Sequence, residues 1–131
     1  KFTITTEGNN DIIDITKHVK NCVYQHELKD ALVCVSIQGS TSAITTIEYE
    51  EGLVKDLREA LERIAPTGVE YHHDEIWHDG NGYAHLRSSL IGNSYTVPII
   101  DRKLELGTWQ QVILIDFDNK PRTRKITVVI Q

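Results

Sequence analysis

The chain has 131 residues, a formal net charge of −5, and a composition that is 40% hydrophobic and 25% charged. This size and composition are typical of one globular domain that builds a core without disulfide or metal support. No apolar stretch approaches the roughly 20 residues that cross a bilayer, which predicts no membrane partner, and the mild acidity disfavours nucleic acid. Cys22 and Cys34 form no CxxC pair, and the first residues lack the pattern of a leader, so we expect free thiols and a cytoplasmic protein.

The N-terminal half alternates strand-like and helix-like patterns. Period-two alternation predicts strands at 2–6 and 12–15, on either side of the turn Gly8-Asn9-Asn10-Asp11. Thr16 is the predicted N-cap of a helix at 17–26, whose apolar residues share one face. Segments rich in Val, Ile and Thr predict two further strands at 31–38 and 43–49.

The C-terminal half begins with a helix and continues mainly as strands. Apolar residues at helical spacing predict a helix at 52–65 that ends before Pro66. From 67 to 82 the pattern gives way to polar and aromatic residues, which predicts a functional loop. A short helix is predicted at 84–90, followed by strands at 95–100, 103–106, 110–117 and 124–130. The sequence thus predicts a single α+β domain over residues 1–131, with two main helices packed on a mostly antiparallel sheet or open barrel.

Four of the six histidines lie within fourteen residues, together with three carboxylates. The group comprises His72, His73, Asp74, Glu75, His78, Asp79 and His85. Imidazole is the commonest metal ligand and the usual acid or base near neutral pH, and an adjacent carboxylate can orient it. His73 and His85 can meet across the turn Gly80-Asn81-Gly82, although their spacing matches no standard metal motif. The segment is either a metal or acid–base site or a solvated histidine-rich loop, whereas His18 and His26 are expected to be structural.

Three other segments have the polar groups that hold an anion. The Gly39–Ser42 loop offers three hydroxyls, which suit a phosphate or a carboxylate but also occur in ordinary turns. Arg122 and Arg124 would face the same side of an extended segment, where they hold one phosphate-sized anion or only end a solvated strand. Trp109, beside Gln110, is either a core or interface residue or a platform for a ligand.

Several motifs together resemble the secondary thiamine-phosphate synthase family of YjbQ-like proteins. The matching stretches include Ser40-Thr41-Ser42-Ala43, Tyr71-His72-His73-Asp74, Gly80-Asn81-Gly82-Tyr83-Ala84-His85-Leu86, Leu106-Gly107-Thr108-Trp109-Gln110 and Pro121-Arg122-Thr123-Arg124. They extend over essentially the whole chain in the family's order, and the combination of NGxAHL and LGTWQ is specific. The resemblance implies a compact α+β trimer. It also implies a secondary activity, which joins a pyrimidine pyrophosphate to a thiazole phosphate and gives thiamine phosphate.

The resemblance also implies a set of site residues. His73, Asp74 and His85 are the predicted catalytic residues, and the two histidines are the predicted ligands of a divalent metal, Zn or Mg. The family's third histidine is replaced here by Ser40, which leaves such a metal site one ligand short unless Glu48, Glu50, His72 or water takes that position. Separately from the family motifs, hydroxyl and charge-assisted hydrogen bonds suit phosphate oxygens. The predicted ligands of a phosphorylated small-molecule substrate are Ser40, Thr41, Ser42, Arg87, Trp109, Gln110 and Arg122. The alternative is a trimer that binds a metal or a phosphorylated metabolite without turnover.

Overall fold

The computed structural model describes the chain from Lys1 to Gln131 as eight strands and four helices. The strands are β1 (Phe2–Thr6), β2 (Asp11–Asp14), β3 (Ala31–Ile37), β4 (Ser42–Glu48), β5 (Ser94–Ile100), β6 (Lys103–Leu104), β7 (Gln110–Asp116) and β8 (Arg122–Ile130). The helices are α1 (Thr16–Tyr24), α2 (Glu51–Ile64), α3 (His72–Trp77) and α4 (Gly82–Ile91). A bilayer-spanning length of apolar residues occurs in none of these helices.

The strands form two antiparallel sheets, with the orders β1-β8-β3-β5-β6 and β2-β7-β4. Side chains alternate along β3, so that Val33, Val35 and Ile37 are buried while Leu32 is exposed. The buried residues pack with α1 and with apolar side chains of the smaller sheet in one core cluster. The predicted α+β fold with antiparallel sheets is confirmed, as a half-barrel covered by four helices.

The second core cluster lies on the other face of the smaller sheet. There Ala43, Ile113 and Ile115 pack against Leu61 of α2 and Tyr83 of α4. Strand β7 is therefore buried on both faces, because its alternate residues belong to the first cluster. This burial explains its continuous apolar sequence. Ala43 of β4 and Tyr83 of α4 belong to this second cluster, so α4 packs against β4. This packing positions His85 of α4.

Three details differ from the sequence predictions. The N-cap of α1 is Ile15, because the Thr16 hydroxyl instead donates to Asp14 Oδ1 (2.6 Å) and accepts from the Val112 amide (2.8 Å). The predicted loop at 67–82 contains α3. Strand β8 begins at Arg122 rather than 124, because its first residues pair with the end of β1, a partner that the local pattern does not reveal.

Candidate functional site

His73 and His85 lie against each other where α3 meets α4. Their ring centroids are 4.2 Å apart and the ring planes are tilted by 34°. The helices are joined by Asp74, whose Oδ1 accepts a hydrogen bond from the Gly82 amide at 3.0 Å. Only glycine fits there, since a Cβ on Gly82 would stand 2.6 Å from the Cβ of Tyr71. The structure therefore brings together the three residues predicted to be catalytic.

The two histidines have different electrostatic surroundings. Partial burial, reinforced by the neighbouring His73, lowers the pKa of His85 below its ordinary value of 6.5, although nearby carboxylates act in the opposite direction. His73 Nδ1 lies 3.3 Å from Asp74 Oδ1, close enough for this carboxylate to orient the ring. His85 is thus a neutral imidazole at physiological pH, with a nitrogen able to accept a proton.

A cleft of about 290 Å³ opens beside His85. One wall is a face of α4, because residues three, four and seven positions apart share a side of a helix; the other is the loop between β3 and β4. The lining residues are Gly39, Ser40, His85, Ser88, Ser89, Gly92 and Asn93, and none of them is hydrophobic. Ser40 and His85 therefore share one cleft. This polar lining suits a small, hydrophilic ligand.

The loop between β3 and β4 lies over a buried ion pair. Arg124 donates through Nε (2.6 Å) and Nη2 (2.7 Å) to the carboxylate of Asp116, and both residues are buried. Arg124 Nη2 also donates to Thr41 Oγ1 at 2.8 Å, and this hydroxyl in turn donates to Asp118 Oδ2 at 3.2 Å. Thr41, a predicted phosphate ligand, is instead part of this internal network.

Arg122 is also engaged within the protein. Its Nε donates to Asp118 Oδ2 at 2.9 Å. Burial alone would raise the pKa of Asp118, but hydrogen bonds from Asn81, the Asn119 amide and Arg122 outweigh it and lower the pKa. Arg122 and Arg124 do face the same side, as their spacing predicts, and the anion between them is the chain's own carboxylate.

Arg87 is predicted to bind phosphate, but the structure does not place it at the cleft. It is fully buried, and it donates to the Ala65 carbonyl through Nε (3.0 Å) and Nη2 (2.7 Å). Its remaining contacts are Asn10 Oδ1 at 2.8 Å and Glu62 Oε2 at 2.9 Å. Since protein groups surround the guanidinium, Arg87 ties α4 to the end of α2 and does not reach the cleft.

Trp109 and Gln110 lie away from the cleft of the same chain. In the antiparallel pairing of β4 with β7, Gln110 faces Glu48 whereas Ser42 faces Asp116. The length of β4 therefore separates them from the loop at Ser42, about 20 Å at 3.3 Å per residue. Gln110 Nε2 donates to Thr46 Oγ1 at 3.0 Å, and Trp109 is 71% exposed. The structure does not join these residues to the histidine pair within one chain.

Three polar residues of the cleft are not among those predicted from the sequence. Ser88 and Ser89 follow His85 at helical spacing, and this polar stripe on α4 was a readable signal. Ser88 Oγ donates to the Ser42 carbonyl at 2.7 Å, which anchors the helix to β4. Asn93 carries no such signal, because its place in the cleft depends on how α4 ends.

The histidine pair does not complete a metal site by itself. No group of three or more His, Cys, Asp or Glu side chains is arranged to hold a metal ion. Protein zinc sites take at least three protein ligands. His73 and His85 supply only two of them, and the serine at position 40 does not supply the third, so metal binding stays a prediction.

The fold and the site define a class of small α+β half-barrel proteins with a histidine pair beside a polar cleft. The family model described as UPF0047 protein YjbQ-like matches residues 1–131, and the chain belongs to this family. A UPF0047 protein of Archaeoglobus fulgidus is 42% identical over 128 residues, which cover 98% of this chain and 97% of that protein. The UPF0047 protein YugU of Bacillus subtilis is 31% identical over 123 residues, 92% and 89% of the two chains.

Solved structures show the same fold. An uncharacterised YjbQ/UPF0047 family protein from Clostridium acetobutylicum has a TM-score of 0.90 and 34% identity, covering 99% of this chain and 98% of that one. A protein of unknown function from Sulfolobus solfataricus has a TM-score of 0.91 and 29% identity, with coverage of 98% and 94%. The family and fold predictions are thus confirmed.

Proposed function

We propose that this protein binds a phosphorylated small molecule in the cleft beside α4 and moves a proton through the His73–His85 pair. The observation that carries the proposal is that a neutral, partly buried His85 opens onto a cleft without hydrophobic lining. A neutral imidazole accepts a proton readily, and serine hydroxyls suit phosphate oxygens. Asp74 orients the His73 ring, which stacks on His85.

The charges of the lining residues favour this cleft over a second depression as the site for a phosphate group. This second depression, of about 340 Å³, has a wall that includes Glu70, Asp74 and Glu75. These carboxylates would repel a phosphate. The cleft at Ser40 has no carboxylate in its lining, so an anion meets hydroxyl and imidazole groups there.

The finer proposal is a thiamine-phosphate synthase type of reaction, and it rests on the motif resemblance. In that reaction the thiazole nitrogen forms a bond to the methylene carbon of the pyrimidine. The carbon–oxygen bond to pyrophosphate breaks, and its electron pair leaves with the pyrophosphate. An imidazole N–H of His73 or His85 would donate a hydrogen bond to the oxygen on which this charge develops. Such a donor is useful because it acts where the transition state gains negative charge.

The test is product formation from the pyrimidine pyrophosphate and the thiazole phosphate, with and without Mg²⁺ or Zn²⁺. We expect the parent protein to form thiamine phosphate and the His85→Ala variant to lose at least about 100-fold in rate, the usual cost of removing one hydrogen-bond donor to a developing negative charge. The matched control is His72→Ala, because the His72 side chain is 98% exposed and its polar contact is with Glu75. Absence of product in the parent protein would rule out this reaction.

A second candidate is binding without turnover. It is favoured by the absence of a third metal ligand near the histidine pair. In that case His85→Ala would weaken the binding of a phosphorylated metabolite, and no product would form from any substrate pair. The two candidates are separated by measuring binding and turnover on the same protein.

The proposal includes a homotrimer and a cytoplasmic location. The two open sheets leave strand edges, which neighbouring subunits could cover. Trp109 is 71% exposed at the far end of β4, where a neighbour would shield it from water. The two cysteines are free thiols, a state that a reducing compartment preserves.

A further inference from the structure

Arg124 has one guanidinium nitrogen that the protein does not use. Nε and Nη2 both bind Asp116, and Nη2 also binds Thr41, whereas Nη1 has no hydrogen-bond partner in the chain. The side chain is only 8% exposed, and its two-point attachment to Asp116 fixes the plane of the guanidinium. Nη1 therefore projects from the edge opposite the carboxylate, with its donors available.

Gly39 places this nitrogen beside the cleft. Gly39 is a lining residue, and a Cβ at this position would stand 3.1 Å from Arg124 Nη1 and 3.8 Å from Ser42 Oγ. Its φ of +133° is one that residues with a side chain rarely adopt. The Arg124 nitrogen and the Ser42 hydroxyl thus lie directly behind Gly39 in the wall of the cleft, where the glycine has no side chain to separate them from it.

Ser42 contributes a second unused donor. The residue is fully buried and its Oγ has no hydrogen-bond partner. A buried hydroxyl without a partner costs free energy, and such groups in folded proteins are nearly always satisfied. The two unused donors, from Arg124 and Ser42, face the same small space.

We propose that Arg124 Nη1 and Ser42 Oγ form an anion subsite of the cleft, which holds a phosphate group of the ligand. The subsite rests on the proposed function, because it supplies the binding end of a cleft whose reacting end is His85. Arg122 does not fill this role, because its guanidinium is bound to Asp118. The charges of Arg122 and Arg124 balance those of Asp116 and Asp118, so the network as a whole does not repel an anion.

The first test titrates inorganic pyrophosphate into the full chain by calorimetry and compares Ser42→Ala with the parent. This substitution deletes only a hydroxyl without a protein partner, so Tm should stay the same or rise. The affinity for pyrophosphate should fall by roughly three- to tenfold, as for the loss of one neutral hydrogen bond. Ser36→Ala is the control, since Ser36 lies in β3 of the other sheet and should leave the affinity unchanged.

The second test changes the other two members of the subsite. Gly39→Ala would put a methyl group into the space next to Nη1. Arg124→Lys keeps a cation for Asp116 but removes the second nitrogen edge. We expect each to lower the affinity by about tenfold or more, because a charge-assisted hydrogen bond is lost. Tm reports any folding defect in these two variants, and Ser42→Ala keeps the test valid if Arg124→Lys unfolds.

The outcomes separate this subsite from the proposed function. If the parent does not bind pyrophosphate, or if Ser42→Ala and Gly39→Ala bind it as tightly as the parent, the subsite is overturned. In that second case turnover that depends on His85 would still support the proposed function. If both variants bind weakly but the parent has no turnover, the subsite stands and the proposed reaction fails.

Discussion

At the scale of single residues, the chemistry of the cleft depends on the charge of His85. Burial and the neighbouring His73 favour its neutral form, whereas Asp118, Asp79 and Asp74 favour the charged form, and the first pair of influences prevails. The sequence predicted that the two rings could meet, because a short glycine-containing turn connects their segments. It could not predict which form His85 takes, since that depends on burial and on side chains from α3 and from two separate loops.

Turnover should depend on pH through this group. Because the pKa of His85 is lowered in the folded protein, the imidazole stays neutral and basic below pH 6.5. The acidic limb of the kcat/KM profile should therefore lie below pH 6.5 and should be missing from any residual activity of His85→Ala. A limb above pH 6.5 would show that another group controls the rate.

Folding stability should follow the same group. A lowered pKa means that the unfolded chain binds this proton more tightly, so the contribution of His85 is complete above its unfolded pKa and is lost as pH falls through the folded one. Urea unfolding of the parent between pH 7 and pH 5 should show a larger loss than that of His85→Ala. Equal losses in the two proteins would contradict the shift.

The substitution Ser40→His tests whether position 40 can supply the third ligand of a metal site at His73 and His85. Ser40 shares the cleft with His85, so an imidazole there could join His73 and His85 as a third ligand. We expect zinc affinity, measured by calorimetry with a competing chelator, to rise by at least about tenfold, since an additional ligand completes the set. Ser36→His is the matched control on the other sheet. Unchanged affinity in Ser40→His would show that position 40 does not face the metal.

The roles of the three arginines depend on residues that are distant in the sequence. Arg87, Arg122 and Arg124 have the same side chain, but Arg87 is fully buried, Arg122 is half-exposed, and Arg124 has one nitrogen next to Gly39 in the wall of the cleft. Their roles are decided by distant partners such as Asp116 and the Ala65 carbonyl. No local pattern contains that information.

At the scale of elements, the junction of α3 and α4 determines whether the histidines meet. The sequence pattern predicts α4, whereas it predicts a loop where α3 lies, because six residues carry too little periodicity. The junction depends on the approach of Tyr71 to Gly82 and on the hydrogen bond from Gly82 to Asp74. The strands were predicted with near-correct bounds, whereas the register that sends Gln110 to the far end of β4 is a long-range property.

Gly82→Ala should separate these helices. The new Cβ would stand 2.6 Å from the Tyr71 Cβ, so α3 must shift. We expect a loss of about 1–3 kcal/mol in the free energy of unfolding, typical of overpacking, together with weaker mutual shielding of the His73 and His85 ring protons. The matched control is Gly107→Ala, whose Cβ would find its nearest neighbour at an ordinary 3.7 Å. An unchanged ring-proton spectrum in Gly82→Ala would contradict the role of this junction.

At the scale of the whole molecule, a single chain leaves two tryptophan side chains exposed to solvent. Trp77 and Trp109 are 69% and 71% exposed, on different parts of the surface. Light scattering at micromolar concentration should report the mass of a trimer, and Trp109 fluorescence should shift to the blue relative to a diluted, dissociated sample. A monomer at that concentration would exclude the assembly, while the cleft within one chain would remain.

The most direct measurement is nuclear magnetic resonance of the histidine rings during titration with inorganic pyrophosphate. We expect the ring resonances of His85 and His73 to shift and saturate together, because both lie at the cleft or against it, while those of exposed His72 do not move. A titration that leaves His85 unchanged, or that moves only His72 and His78, would contradict the proposal that the cleft beside α4 is the ligand-binding site.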